Sequence, residues 1–310
     1  MKVVVTGGAG FIGANLCERL VRDPAIDEVV AIDDLSNGFV ENLDGIDAEL
    51  IVGSILDRDA LDVAFANAES IVHLAARGSV PKSVKDPLKT HDRNATGTLE
   101  VMMAAQRAGD VHTIVASSSS VYGATPDLPK HEDLPTRPMS PYAVSKVATE
   151  WYALAFQHSY GHPALVFRFF NVYGPRQPAG HAYAAVIPAW IAAAQDGSTL
   201  AVNGDGKQSR DFTYVDTVTE VISRAIHERV ISDVPVNLAF GGGTTLLELI
   251  SKLEYVFGRS LPVEHRDARA GDIRHSTADP SRLFELFPDI DPIDFDEGLA
   301  KTVAWWDARA

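Results

Sequence analysis

The sequence predicts an α/β fold: a doubly wound parallel sheet with a smaller α/β lobe toward the C-terminus. Two observations carry this. Short strand-like runs alternate with helical segments from the first residue, which implies right-handed βαβ units and a parallel sheet covered on both faces. After Asn171 the alternation fades, and residues 173–208 become rich in Gly, Pro and Ala. At 310 residues the chain fits one large α/β unit or two coupled domains, and is too long for a disulfide scaffold or a small binding module.

The elements follow in order. Val3–Thr6 is a short β-branched run, a glycine-rich turn follows, and Phe11–Arg22 carries apolar residues at helical spacing. Val29–Asp33 is a second strand, ending in acid. Leu50–Val52, Ser70–Leu74, Thr113–Ser117 and Leu165–Phe169 repeat the short buried-strand pattern, with helical Ala95–Ala108 and Ala143–His158 between them. Ile187–Gln195 reads as a helix, Val236–Ala239 as a strand and Leu246–Phe257 as a helix. From Gly258 onward Pro and Asp are frequent and periodicity is weak. The expected division is a sheet domain of residues 1–172 plus about 209–241, and a lobe of residues 173–208 and 242–310.

Lys and Arg number 27 against 42 Asp and Glu, a formal charge of −15 with no long basic run. Neither nucleic acid nor an anionic membrane suits such a surface as a partner. Cys17 is the single cysteine, which excludes an intrachain disulfide, and no Cys/His spacing suggests a metal site. Met1 leads straight into strand-like Lys2–Val5, leaving no room for a signal peptide. No apolar run approaches the roughly 20 residues that a membrane span needs. A cytoplasmic protein is expected.

Thr6-Gly7-Gly8-Ala9-Gly10-Phe11-Ile12-Gly13 lies between a strand and a helix. Gly7, Gly10 and Gly13 allow a tight turn, close approach of backbone to a pyrophosphate, and close packing of helix on sheet. The helix N-terminus then points unpaired N–H groups at the phosphates, so bulk charge is not what would hold them. Asp33 ends the next strand, 20 residues after Gly13. An acid there accepts hydrogen bonds from a ribose diol and repels a 2′-phosphate, so NAD is expected rather than NADP, on a sheet of the Rossmann kind.

Tyr142 and Lys146 stand one helical turn apart on one face. Alone the pair could be an ordinary surface feature. Upstream, however, Ser117-Ser118-Ser119-Ser120-Val121-Tyr122-Gly123 follows a strand. In a doubly wound sheet the C-terminal strand ends line the cofactor crevice, where the Ser118 hydroxyl and the Tyr142 phenol can reach one substrate oxygen.

With these motifs in this order, the chain resembles the extended short-chain dehydrogenase/reductases of the nucleotide-sugar epimerase/dehydratase family. The resemblance runs from Thr6–Gly13 through Tyr142 and Lys146 to residues 169–177 (FFNVYGPRQ), 209–216 (SRDFTYVD) and 269–272 (RAGD), essentially the whole chain. It implies that Tyr142 is the general base for the sugar O4 proton, that Lys146 holds the nicotinamide ribose and lowers the phenol pKa, and that Ser118 shares the bond to O4. It implies a cofactor wall of Gly7, Gly10, Phe11, Ile12, Gly13, Asp33, Asp34, Ser36, Asn37, Gly38, Ile55, Leu74, Ala75, Ala76, Asn94 and Phe170, shared with Tyr142 and Lys146. Ser54 stands where many members have an Asp on the adenine amino group, and a serine oxygen can still accept that bond. For a UDP-sugar the resemblance implies Gly78, Ser79, Ser118, Ser119, Ser120, Asn171, Ala185, Val186, Asn203, Arg210, Arg269, Asp272 and Ser276. Arginine suits this task because its planar fork bonds phosphate oxygens in pairs. The alternative for Arg210 is an ion pair with neighbouring Asp211, and for Asp272 a solvated loop acid.

Within the family the triplet beginning at Ser118 discriminates. Dehydratases resembling the chain carry Thr-Asp-Glu there, and the related decarboxylases keep the third-position Glu. Here the triplet is Ser118-Ser119-Ser120, with no carboxylate to serve water loss. The expected reaction is therefore 4-epimerisation with bound NAD, through a transient 4-keto sugar that turns about its diphosphate link. A dehydratase or decarboxylase of the same family is one alternative. A catalytically silent NAD-binding regulator is another, and intact Ser118, Tyr142 and Lys146 speak against it.

Residues 78–83 and 182–188 closely resemble segments of UDP-N-acetylglucosamine 4-epimerases, and Ser276 stands where hexose-restricted relatives have a bulky tyrosine. These features lean toward N-acetylhexosamines, with UDP-glucose/UDP-galactose turnover alongside. Arg77 beside this pocket leaves a uronic acid open. In relatives the helices matching 95–108 and 143–158 form a four-helix interface, so a homodimer is expected.

Overall fold

The structure, a computed structural model, describes residues 1–179, 185–267 and 274–309. Its strands are β1 (Lys2–Thr6), β2 (Glu28–Asp33), β3 (Glu49–Val52), β4 (Ser70–His73), β5 (His112–Ser118) and β6 (Ala164–Phe169), then β7 (Asn171–Tyr173), β8 (Leu200–Asn203), β9 (Ser209–Arg210), β10 (Phe212–Tyr214), β11 (Val236–Leu238), β12 (Thr244–Thr245), β13 (Val263–Arg266) and β14 (His275–Ser276). The helices are α1 (Phe11–Leu20), α2 (Arg58–Phe65), α3 (Val80–Lys85), α4 (Pro87–His91), α5 (Gly97–Arg107) and α6 (Pro141–Tyr160), then α7 (Val186–Gln195), α8 (Val215–His227), α9 (Leu246–Phe257), α10 (Ser281–Leu286) and α11 (Phe295–Asp307).

Seven strands form one parallel sheet in the order β11-β6-β5-β4-β1-β2-β3. The chain starts at β1, winds outward to β3, then reverses through β4 toward β11. That reversal between β1 and β4 is where a doubly wound sheet opens a crevice at its C-terminal edge. One face packs Leu16, Leu20, Phe167, Val218 and Ile222 beneath α1 and α8. The other packs Leu61, Phe65 and Val101 beneath α2 and α5, with Met102, Leu154 and Phe156 beside α6. Fully burying one such side chain stabilises by about 1.5–3 kcal/mol.

A separate apolar cluster, including Tyr173, Trp190, Ile191, Leu249, Leu253 and Leu299, lies beneath the short strand pairs. There β10 pairs with β7, β13 with β8, and β9 lies between β12 and β14. No helix among the described residues is long and apolar enough to cross a membrane.

α8 and α11 are absent from the sequence reading. Val215, Thr217, Val218, Thr219, Val221 and Ile222 are β-branched, which weakens the helical signal of α8; burial of that face beside α1 decides the outcome. α11 hides in the acidic tail, where the Asp294 side chain caps it by accepting from Asp296 N at 2.8 Å. α6 is plainly marked by contrast. Ser140 Oγ accepts from Ala143 N at 3.1 Å, Pro141 occupies the first turn, and Gly161 ends the helix at φ 72°.

Candidate active site

The C-terminal ends of β1, β2, β4, β5 and β6 open into one cleft of about 620 Å³. Gly7 turns the chain out of β1 at φ 73°, and a Cβ there would lie 2.8 Å from Ala75 N. A Cβ on Gly13 would lie 2.1 Å from Gly7 O, so helix and turn can approach only with glycine present. Gly10 begins α1 without a side-chain cap, and no acid occupies the first turn, which leaves helix-end N–H groups open to an anion. Asp33 is fixed beside this turn: its Oδ2 accepts from Ala9 N at 3.1 Å and its Oδ1 from Leu35 N at 2.8 Å. Burial raises its pKa while those amides work against the rise.

Gly7, Gly10, Phe11, Ile12, Gly13, Asp33, Asp34, Ser36, Asn37, Gly38, Ser54, Ile55, Leu74, Ala75, Ala76 and Phe170 all line the cleft. Asn94 departs from the expected cofactor wall. It is 1% exposed, its Oδ1 accepts from Arg77 N at 2.7 Å, and its Nδ2 donates to Ser145 Oγ at 2.9 Å. It thereby ties the segment after β4 to the start of α6. The glycine cradle, open helix end and ribose-type acid fit a dinucleotide lacking a 2′-phosphate.

Ser118, Tyr142 and Lys146 line the same cleft. Ser118 ends β5, and its Oγ accepts from Ser120 N at 3.2 Å. Desolvation raises the Tyr142 phenol pKa, and a hydrogen bond with the Ser118 side chain lowers it. Lys146, 5% exposed, donates from Nζ to Ala116 O at 2.7 Å; burial pulls its pKa down to about 8 while Glu150 opposes the fall. Ser119 and Ser120 are off the cleft wall, and Ser120 Oγ is buried without a partner. Asp33 and Asp34 are the acids of the wall among the described residues, and Asp34 is held by Arg93.

A second cavity of about 550 Å³ adjoins the first. Asn171, Ala185, Val186, Asn203 and Arg210 line it, joined by Trp190, Gln208, Phe212 and Arg266. Phe170, Val172 and Gln177 line both cavities. Gln177 Nε2 donates to Val172 O at 3.0 Å, which fixes its amide and leaves a buried Oε1 without a partner. Asp211 does not pair with Arg210. Its Oδ2 accepts from Gly241 N and Ala278 N, each at 3.0 Å, and burial raises its pKa to about 6.

The other expected substrate positions divide. Gly78 and Ser79 line the first cleft; Ser276 pairs in register with Arg210 on β9 but lines neither cavity. Arg269 and Asp272 lie outside the described residues. Arg77 donates from Nη1 to Asp86 O at 2.9 Å and Thr90 Oγ1 at 3.3 Å. Lys82, Arg93, Arg176, Gln177 and Arg266 were not singled out from sequence. Lys82 donates to Asn37 Oδ1 at 3.1 Å and Arg93 to Ser36 Oγ at 2.6 Å, partners too distant in sequence for local spacing to reveal. Gln177 closes the 169–177 motif, and that was its available signal.

The family described as NAD dependent epimerase/dehydratase matches residues 3–239. A UDP-glucose 4-epimerase of Mycolicibacterium smegmatis is 37% identical over 313 residues, covering 99% of this chain and 98% of the relative. A UDP-N-acetylglucosamine 4-epimerase from Methanobrevibacter ruminantium, solved in complex with UDP-N-acetylmuramic acid, superposes with a TM-score of 0.94 at 36% identity, over 100% of this chain and 99% of that one. The UDP-glucose 4-epimerase of Thermus thermophilus, solved in complex with NAD, gives 0.90 at 30% identity, over 100% of both chains.

Proposed function

The chain belongs to the NAD dependent epimerase/dehydratase family, and from that premise we propose that it is a UDP-sugar 4-epimerase. One observation carries this finer reading. Among the described residues, the acids of the cleft wall are Asp33 and Asp34, both beside the glycine turn and loop after β2, and none lies beside Tyr142. Loss of water from the sugar would need a second acid/base pair there, whereas reversible oxidation at a single carbon needs a tyrosine and the cofactor.

When bound, NAD supplies the oxidant and then the reductant for C4. Tyr142 takes the O4 proton as C4 is oxidised and returns it after the sugar has turned. The Ser118 hydroxyl holds O4 against that phenol. Lys146, as an ammonium one turn along α6, stabilises the phenolate. Asn171, Asn203 and Arg210 grip the nucleotide diphosphate in the second cavity, leaving the sugar free to present its other face. Residues 173–208 and 242–310 form the substrate lobe around Asn203, and Arg269 and Asp272 of that lobe add contacts to the nucleotide. The likeness of the segments at 78–83 and 182–188 to those of UDP-N-acetylglucosamine 4-epimerases favours UDP-GlcNAc and UDP-GalNAc, with UDP-glucose and UDP-galactose as further substrates.

Incubation with UDP-GlcNAc and with UDP-glucose, read by NMR, tests this. Appearance of the C4 epimers without net consumption of NAD is expected. A keto-deoxy sugar or released CO₂ would instead assign dehydration or decarboxylation, and absence of turnover on every nucleotide sugar tried would overturn the enzymatic reading.

A further inference from the structure

Behind the cleft lies a cluster that the proposed chemistry does not use. Glu150, 1% exposed, stands one turn after Lys146 on α6. Arg168 on β6 donates to it twice, Nε to Oε1 and Nη2 to Oε2, each at 2.9 Å. Ser117, on the cleft wall, donates its hydroxyl to Oε1 at 2.6 Å. The Arg168 guanidinium lies 4.8 Å from the centre of the Tyr122 ring, and Tyr122 OH donates to Asn237 Oδ1 at 2.6 Å. A two-pronged ion pair with a third donor compensates a carboxylate for its removal from water; without such partners a buried charge is strongly disfavoured.

Lys146 lacks such support of its own, because its bond to the Ala116 carbonyl brings no counter-charge. The titratable groups around it come from four elements. Tyr142 and Glu150 share α6. His73 on β4 is neutral, since burial takes its pKa down to about 3 and its ring is bonded to Thr6 and Thr98. Arg168 on β6 is a like charge lying beyond Glu150. Tyr122, in the turn after β5, is neutral, its phenol pushed up to about 12. Glu150 is the acid of this set.

We propose that Glu150 is a positioning residue, pinned by Arg168 and Ser117 so that its carboxylate keeps Lys146 as the ammonium on which Tyr142 depends for ionisation. Two arrangements of the pair hold the same number of protons: ammonium with phenolate, and amine with phenol. Only the first can receive a proton from the sugar O4. A negative charge one turn from Lys146 and two turns from Tyr142 favours that first arrangement. Ser117 links the same carboxylate to the cleft wall. This inference rests on Tyr142 and Lys146 forming the catalytic pair.

The test uses the holoenzyme with Glu150→Gln and with Glu150→Gln/Arg168→Met, the second leaving no unpaired guanidinium in the core. Ionisation of Tyr142 is followed against pH as the tyrosinate absorbance of each protein minus that of its Tyr142→Phe counterpart. The acidity of Tyr142 is expected to fall about tenfold in both variants, one unit of pKa. The acid limb of kcat/KM moves with it, and Glu150→Asp restores most of the parent profile. An unchanged Tyr142 titration in a folded double variant would overturn the proposal. Titration that shifts in a protein with no turnover of any UDP-sugar would overturn the proposed function and support the role of Glu150. Turnover with no shift would overturn Glu150 alone.

Discussion

Tyr142 sits in the first turn of α6 facing the end of β5, and it lines the same cleft as Ser118 and Lys146. Tyr142→Phe should lower turnover at least about 100-fold, the scale of one lost general base, while NAD stays bound; both are checked by kinetics and by cofactor content after purification. Near-parent turnover would remove Tyr142 from the role. Lys146 makes a second prediction, about stability. Its folded pKa, about 8, lies below its ordinary value of 10.5, so the folded state binds fewer protons between these values and stability must rise with pH there. Burial of the ammonium opposes folding below pH 8 by about 3 kcal/mol. Lys146→Met should therefore be the more stable protein at pH 7, with its advantage shrinking as pH climbs past 8, measured by urea unfolding. Both residues were legible in sequence because a helical turn is a local spacing. The bonds of Asn94 to Arg77 and Ser145 were not legible, because these partners are tertiary.

The β1–α1 turn brings three glycines of the cleft wall together. Gly13→Ala would press a methyl group against Gly7 O and force helix from strand. We expect a loss of about 1–3 kcal/mol in stability and at least about tenfold in NAD affinity, read by thermal melting and by titration. Unchanged affinity would mean that α1 does not approach the pyrophosphate. This turn could be read from eight residues and one following acid. α8 could not, since its β-branched face carries the preference of a strand and only packing beside α1 makes it a helix. The short pairs β7–β10 and β8–β13 were also missed, being three or four residues long with partners far along the chain.

Across the whole molecule the apolar surface is uneven. Val84, Leu88, Val144 and Trp151 are exposed on α3, α4 and α6, with Trp151 at 60% and Leu88 at 77%. Val101, Met102 and Ala105 of α5 are instead buried, so of the two helices expected at a homodimer interface α6 is the one that presents exposed apolar side chains. An apolar helix stripe looks the same in sequence whether a sheet or solvent lies against it. If α6 forms the core of a homodimer, Trp151→Glu should convert a dimer to monomers in sedimentation at micromolar concentration. A parent protein that sediments as a monomer would exclude the interface.

Phe170, Val172 and Gln177 wall both cavities from a single short stretch of chain. If a ligand on one side fixes this stretch for the ligand on the other, the two occupancies are thermodynamically linked. Reciprocity then requires that whatever factor a nucleotide diphosphate adds to the cofactor's affinity, the cofactor adds to the nucleotide's. Under such linkage, release of product would also loosen the hold on the cofactor.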